Sequence, residues 1–332
     1  MVMESKSPLT PNVTIGMPVF NEERFVALSI ESLLNQTYSD FRLVISDNAS
    51  TDRTMEICRG FAERDPRILL IEHPKNLGAV ANFQFVLKNV ETPYFMWAGS
   101  HDLWADDFLE NLVSTLDRQT DAGLAYAKTR VIDGQGETTT ACTPDRDSFI
   151  ANSPLKRASE IVSSLTWCNM VYGLFRTEVI SKCRLSVPCL GNDHVFLMET
   201  ALRSKILHVP TTTFIRREYR DPPPDARAQQ LAQLGRILGM ADVERQLDRR
   251  YTNWLFEHLK SAFRVPARWH VRTGTAISIG ATFIDRWEPQ FESRLILLPY
   301  QVVRAGFRRV RKTRSKFARV RKKIATRIAK ST

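Results

Sequence analysis

Leu43-Val44-Ile45-Ser46-Asp47-Asn48-Ala49-Ser50-Thr51-Asp52 decides how this chain is read. Leu43 to Ser46 are apolar or small, the composition of a buried strand. They run into Asp47 and Asn48, then a small-residue turn, then Thr51 and Asp52 at the head of an apolar-periodic segment. Strand, acid at the strand's end, turn and helix start is the order in which an α/β protein builds a ligand site. A carboxylate there can accept hydrogen bonds from a base or sugar edge, which singles out Asp47. Asp52 reads equally well as the cap of the next helix.

The same alternation extends to both sides. Val13 to Phe20 reads as a strand, Asn21 and Glu22 as turn and cap, and Arg24 to Gln36 as a helix with Phe25, Leu28, Leu33 and Leu34 on its apolar face. Phe41 to Ser46 is the second strand and Arg53 to Arg64 the second helix, with Met55, Cys58 and Phe61 inward. Ile68 to Ile71, Ala79 to Asn89 and Tyr94 to Ala98 follow as strand, helix and strand. Four β-α units in succession predict a mostly parallel sheet flanked by helices, since right-handed crossovers lay helices on its faces. Further on, Asp106 to Leu116 reads as a helix, Leu124 to Ile132 as a strand and Asp133 to Ser153 as a polar, mobile surface loop. Lys156 to Ser164 is helical, Met170 to Arg176 a strand, Cys189 to His194 a turn leading into a helix through about Arg203, and Lys205 to Glu218 a last strand or strand pair. Pro222-Pro223-Pro224 is the best boundary, and the pattern beyond it is helical.

The net charge of +11 is a property of one end of the chain. Residues 301–332 hold thirteen of the 47 Lys and Arg and no acid, which leaves 34 basic residues against 36 acidic elsewhere. Five scattered cysteines without a C-x-x-C pair argue against a disulfide scaffold or zinc site and for a reducing compartment. The N-terminus has no apolar signal core, and no apolar run is long enough to span a bilayer. In the tail, Val303, Phe307, Val310, Phe317, Val320, Ile324 and Ile328 form one apolar stripe among Arg and Lys. That is the pattern of a basic amphipathic helix on an anionic membrane surface. A solvated tail and a nucleic-acid-binding arm are the alternatives, the latter unlikely.

The run Val13 to Glu22, then S-D-N-A-S-T-D, then Asn76-Leu77-Gly78, then an acidic segment before Trp104, resembles the family-2 inverting glycosyltransferases of the GT-A fold. The resemblance covers roughly Val13 to Tyr219. It implies a GT-A domain over residues 1–220, a helical extension over 221–300 and the basic tail over 301–332. It implies an enzyme that moves a sugar from a UDP- or dTDP-linked donor to a hydroxyl of a glycan or lipid-linked acceptor, in cell-surface polysaccharide synthesis. It would work in the cytoplasm, peripheral to the inner face of the membrane. A catalytically inactive nucleotide-sugar-binding homologue and a nucleic-acid-binding protein led by the tail are the rival readings.

By the same resemblance, Pro18, Val19 and Phe20 lie along the nucleotide base, Glu22 sits near the ribose or base edge, and Asp47 accepts from the base imide N–H. Asn76 and Gly78 stand where backbone closes on the ligand, with a plain helix-start turn as the alternative for Gly78. Asp193, in Gly191-Asn192-Asp193-His194, matches the catalytic general base; a helix cap is its plain alternative. Arg216 or Arg217 contacts phosphate or is simply a surface arginine. Trp97 reads as core, and Trp104 as a wall of the sugar or acceptor pocket. The acidic metal motif departs from the family pattern. Aligned on Leu103-Trp104, the two acids of D-x-D are replaced by Gly99 and His101, and only Asp102 remains. Mn²⁺ or Mg²⁺ held by Asp102 with His101 is the expectation, with helix capping by Asp102 as the alternative.

Overall fold

The computed structural model describes residues 11–88, 90–139, 147–185, 187, 189, 191–219, 231, 235, 249–265 and 267–287. Pro222–Pro224, most of the helical pattern before Arg250 and the tail 301–332 lie outside the described residues.

The amino-terminal half alternates as its hydrophobic periods require. Strands β1 (Val13–Val19), β2 (Phe41–Asp47), β3 (Ile68–Glu72) and β4 (Tyr94–Trp97) are separated by helices α1 (Val26–Leu34), α2 (Thr54–Ala62) and α3 (Ala79–Leu87). All seven β1 residues are buried, and so are all four of β4, as expected of strands covered on both faces. β5 (Leu103–Trp104), α4 (Phe108–Arg118), β6 (Ala122–Ile132), α5 (Pro154–Ser164), β7 (Leu174–Arg176), α6 (Thr177–Ile180), α7 (Asn192–Arg203) and β8 (Lys205–Arg217) follow. Helices α8 (Arg250–Phe263) and α9 (Trp269–Trp287) close the described chain.

Among the described residues the strands form one sheet in the order β3-β2-β1-β4-β7-β6-β8-β5. β3, β2, β1 and β4 run parallel, β7 is antiparallel to both β4 and β6, and β6 and β8 pair in parallel. The chain moves outward from β1 through β2 to β3, then returns to lay β4 on the other side of β1. That reversal opens a crevice at the carboxyl ends of β1 and β4, where ligands bind in open α/β sheets.

The helix on each face is held by apolar contact. α4 buries Phe108, Leu109, Leu112, Val113 and Leu116, a helical repeat worth about 2 kcal/mol per large side chain removed from water. The α8–α9 pair is part of the main core. Leu255, Ile279 and Phe283 belong to the same buried cluster as Phe95, Ile161 and Phe196.

Several expectations change. Met170 to Arg176 is not one strand: Asn169–Tyr172 is a 3₁₀ turn entered through Cys168 at φ 54°, and β7 begins only at Leu174. Leu28 is exposed rather than inward. Asp133 and the residues after it make a tight turn in which the Asp133 carboxylate accepts from the N–H groups of Gln135 and Glu137. Trp104 is buried against Phe214 and its backbone N–H donates to Ser32, so it belongs to the core. Trp97 is core as read, packed among Phe95, Phe175 and Phe196.

Candidate active site

The crevice holds a cavity of about 920 Å³ at the carboxyl ends of the parallel strands. Pro18, Val19, Phe20 and Glu22 reach it from β1, Asn48 from β2, Asn76 to Gln84 from the turn and helix after β3, and Gly99, Ser100 and His101 from the loop after β4. Of the expected donor residues, Pro18, Val19, Phe20, Glu22, Asn76 and Gly78 share this one wall. Phe20 is 41 % exposed, a large apolar face left open at the mouth.

Short polar ties set the loops. Asn21 holds a left-handed φ of 52° and Ala49 one of 61°. Left-handed backbone costs a non-glycine residue about 1–2 kcal/mol, so the surroundings must enforce it. Asn21 N–H donates to Ser50 Oγ, Thr51 N–H donates to Asn21 Oδ1, and Glu22 N–H donates to Thr54 Oγ1. Asp52 accepts from the N–H groups of Glu23 and Thr54, which realises its capping alternative and joins the loop after β1 to the start of α2. Asn48 Oδ1 accepts from Leu77 N–H, its amide donates to Asn76 Oδ1, and that oxygen also accepts from Gly78 N–H. Gly78 sits at φ 85°, a conformation that favours glycine, and starts α3 with no side-chain cap. Buried Ser46 and Asn82 lock α3 onto β2 by two hydrogen bonds.

Asp47 lies behind this wall, 1 % exposed. Its Oδ2 accepts from Ser50 N–H at 3.0 Å, whereas Oδ1 is buried without a partner. An acceptor left bare in the interior costs roughly 1–3 kcal/mol, so it marks the one polar function of this strand end that the fold does not satisfy.

The segment after β4 departs most from expectation. Asp102 is 2 % exposed and absent from the cavity wall, which is formed here by Gly99, Ser100 and His101. Its Oδ1 accepts from Arg217 N–H at 2.8 Å. Its Oδ2 lies so close over Gly99 that a Cβ at position 99 would overlap the carboxylate. Burial raises the Asp102 carboxyl above its ordinary value, against the opposing influence of His101 and Arg217. His101, with 28 % of its side chain exposed, reaches the cavity and lies between two carboxylates, Nδ1 3.4 Å from Glu22 Oε1 and Nε2 4.0 Å from Asp102 Oδ1. A hard divalent cation needs an open carboxylate aimed at the phosphates. Asp102 offers none, and among the described residues no three His, Cys, Asp or Glu side chains converge as a metal site. The residues present do not fit the expected ion.

Arg217 is 6 % exposed; its guanidinium donates to the carbonyls of His101 and Asp133 and lies over Phe25. It braces the His101 loop from within and is not available to a phosphate. Arg216 donates to Asn169 Oδ1 and pairs with Glu218 at 3.2 Å. Tyr219 donates to Glu22 Oε2 at 2.7 Å and so joins the end of β8 to the loop after β1.

A second cavity of about 210 Å³ adjoins the first. Both are lined by Ala79, Val80, Phe83, Gln84 and Tyr172, and the second adds Asp193, Asn192, Trp97, Leu185 and Phe196. Asp193 is in the first turn of α7, which starts at Gly191 with φ 73°. A side chain at 191 would press into the Trp254 ring at 2.6 Å, so this turn, with α8 behind it, accepts only glycine. The Asp193 carboxylate is exposed to solvent at the bottom of the concavity. The surrounding protein raises its pKa and Arg216 opposes that rise.

Sequence reasoning missed Tyr172, Phe83 and Gln84, which form the partition shared by the two cavities. Tyr172 stacks on Phe214 and its hydroxyl is raised by burial and by the charges of Asp102 and Asp193. The only signal for it was an aromatic before Gly173, and the mistaken strand over 170–176 hid that.

An open, mostly parallel sheet with a deep crevice at its switch point and a carboxylate beside it defines an α/β fold of the GT-A type. Residues 14–167 match the model of Glycosyl transferase family 2. The glycosyltransferase GlyA of Streptococcus pneumoniae is 35% identical over 100 residues, 30% of this chain and 14% of that protein. The succinoglycan biosynthesis protein ExoA of Rhizobium meliloti is 33% identical over 113 residues, 33% of this chain and 34% of that protein. The matched region thus spans well under two thirds of these relatives. Among solved structures, S. aureus TarS 1-349 in complex with UDP superimposes with a TM-score of 0.54 at 13% identity, covering 85% of this chain and 93% of that one. No described helix is long and apolar enough to cross a membrane.

Proposed function

We propose that this chain is an inverting glycosyltransferase that moves a sugar from a UDP- or dTDP-linked donor to a hydroxyl of a glycan or lipid-linked acceptor, in cell-surface polysaccharide synthesis. The observation that carries the reading is the pair of adjoining cavities, one lined by six of the expected donor residues (Pro18, Val19, Phe20, Glu22, Asn76 and Gly78) and the other opening on Asp193. Phe20 and Pro18 offer a base its apolar face; the bare Asp47 Oδ1 lies behind that wall, and the imide N–H of uracil or thymine would satisfy it only after a shift of the wall residues. The relatives named for polysaccharide synthesis, and the neighbour bound to UDP, support the donor and acceptor classes.

In the reaction, the acceptor oxygen forms a bond to the anomeric carbon from the side opposite the phosphate. The bond from that carbon to the phosphate oxygen breaks, and its electron pair leaves with the nucleoside diphosphate. Asp193 takes the acceptor's proton onto its carboxylate. A raised pKa suits that task, since a base works best near the operating pH. No step is assigned to a divalent cation, because Asp102 is turned away from the donor cavity. The basic tail, residues 301–332, holds the enzyme at an anionic membrane surface where a lipid-linked acceptor lies.

The test is a thermal-shift screen of UDP-, dTDP- and GDP-sugars followed by transfer assays. The reading expects stabilisation by a uracil or thymine nucleotide and transfer from its sugar. Stabilisation with neither hydrolysis nor transfer would instead make the chain an inactive nucleotide-sugar-binding homologue. No response to any of them, with salt-sensitive nucleic-acid binding lost on removal of the tail, would favour the polybasic reading.

A further inference from the structure

A departing nucleoside diphosphate gains negative charge, and the cavity must neutralise it. Among the described residues that line it, the ionisable and amide side chains are Glu22, Asn48, Asn76, Asn82, Gln84, His101 and Tyr172. Neither Arg216 nor Arg217 is among them, and both are already engaged. Among the described residues of the wall, which include Gly235 from a stretch otherwise outside the description, His101 is therefore the one side chain able to carry positive charge.

Three features make its position a built one. Asp102 is fixed behind it by the Arg217 N–H and by its close approach to Gly99. The His101 carbonyl accepts from Arg217 Nε at 3.1 Å, which fixes the loop backbone. The ring lies edge-on to Tyr219 at 5.3 Å with Glu22 beyond Nδ1, so both carboxylates flank it, and Nδ1 is buried without a hydrogen-bond partner. An acid at position 99 would need Asp102 to move. The start of α3 lines the same cavity, and a helix start leaves the N–H groups of its first turn, here Ala79 to Ala81, without acceptors inside the helix.

We propose that His101 binds the donor's diphosphate in place of a divalent cation, so that this site takes its nucleoside diphosphate without metal. The inference rests on the donor reading above. His101 Nε2–H donates to a phosphate oxygen, Nδ1 being buried against Glu22, and the start of α3 lines the same cavity.

The experiment is calorimetric titration of the full chain with UDP and with uridine, in EDTA and then in excess Mn²⁺ or Mg²⁺, for the wild type, His101→Ala and His101→Asp. Wild-type affinity for UDP should agree within about twofold with and without metal. His101→Ala should weaken UDP about tenfold or more, the loss expected of a hydrogen bond to a charged group, and leave uridine within about twofold. His101→Asp should bind UDP only when metal is added. Wild-type binding of UDP that requires Mn²⁺ or Mg²⁺ overturns the proposal and leaves the donor reading intact. His101→Ala weakening uridine as much as UDP also overturns it, because His101 would then only shape the loop. Failure of the wild type to bind UDP or dTDP under any condition overturns the donor reading and this proposal together.

Discussion

Arg184 holds the helix that carries Asp193, and replacing it with Met should loosen that helix measurably. Its backbone N–H donates to Glu199 Oε2 at 3.0 Å and its Nε to Glu199 Oε1 at 2.6 Å. Its terminal nitrogens donate to Glu257 Oε2 at 2.6 Å, to the Glu257 carbonyl at 2.9 Å and to Ser261 Oγ at 2.6 Å. Glu199 belongs to α7 and is fully buried; Glu257 and Ser261 belong to α8. Met fills much of the volume but leaves the Glu199 carboxylate with the backbone N–H of residue 184, Ser261 Oγ and a distant Arg203 at 3.9 Å. Removing one partner of a buried pair costs about 3–5 kcal/mol. For a chain of this size each kcal/mol lowers Tm by about 2–4 °C, so the midpoint should fall by roughly ten degrees. Below that midpoint, the α7–α8 contact should slacken and move Asp193. A misplacement on the order of 1 Å can reduce turnover a hundredfold. Denaturant unfolding and a transfer assay with UDP affinity as control read both effects. A stability loss under about 1 kcal/mol with unchanged turnover would refute the reasoning that this network holds the catalytic helix.

Three further expectations follow from titratable groups and from the tail. His194 Nδ1 and His258 Nε2 share a buried hydrogen bond at 2.9 Å, and burial lowers His194 well below its ordinary value and His258 to about 4. Both are neutral when folded and take protons when unfolded below about pH 6.5, so stability falls as pH drops through that window; His258 alone should cost about 2 kcal/mol at pH 5, and denaturant midpoints at pH 7 and pH 5 that coincide would contradict it. Asp193 must be ionised to act, and desolvation by the protein walls around it raises its pKa against Arg216, so kcat/KM should fall on the acid side at a pH above the usual carboxylate range; Arg216→Gln should move that limb higher still, and an unmoved limb would sever the link between the two residues. Deleting residues 301–332 should release the protein from anionic vesicles, and unchanged pelleting would show that the anchor lies elsewhere.

The amino-terminal half was legible because its chemistry is local. Strand burial, turn residues and the Asn76-Leu77-Gly78 corner each act within a few positions, and Pro18 to Glu22 duly meet Asn76 and Gly78 in one cavity. The short β7 was not legible: Met170 to Arg176 has a strand's composition, but the left-handed Cys168 and the crowding of Gly173 against the Ala125 carbonyl break it. Asp102 shows why an acidic residue at the right spacing is not a ligand. The close approach over Gly99 and the Arg217 N–H, 115 positions away, decide which way its carboxylate faces. Likewise, nothing near Arg217 in sequence announces that Phe25 and the carbonyls of His101 and Asp133 occupy it.

The most direct measurement is turnover of Asp193→Asn beside its affinity for UDP. Asn keeps the shape and the first turn of α7 but cannot take the acceptor's proton. The account predicts UDP binding close to wild type and sugar transfer reduced by about a hundredfold or more. Transfer within a few-fold of wild type would contradict it, because the carboxylate beside the donor cavity would then have no part in the chemistry.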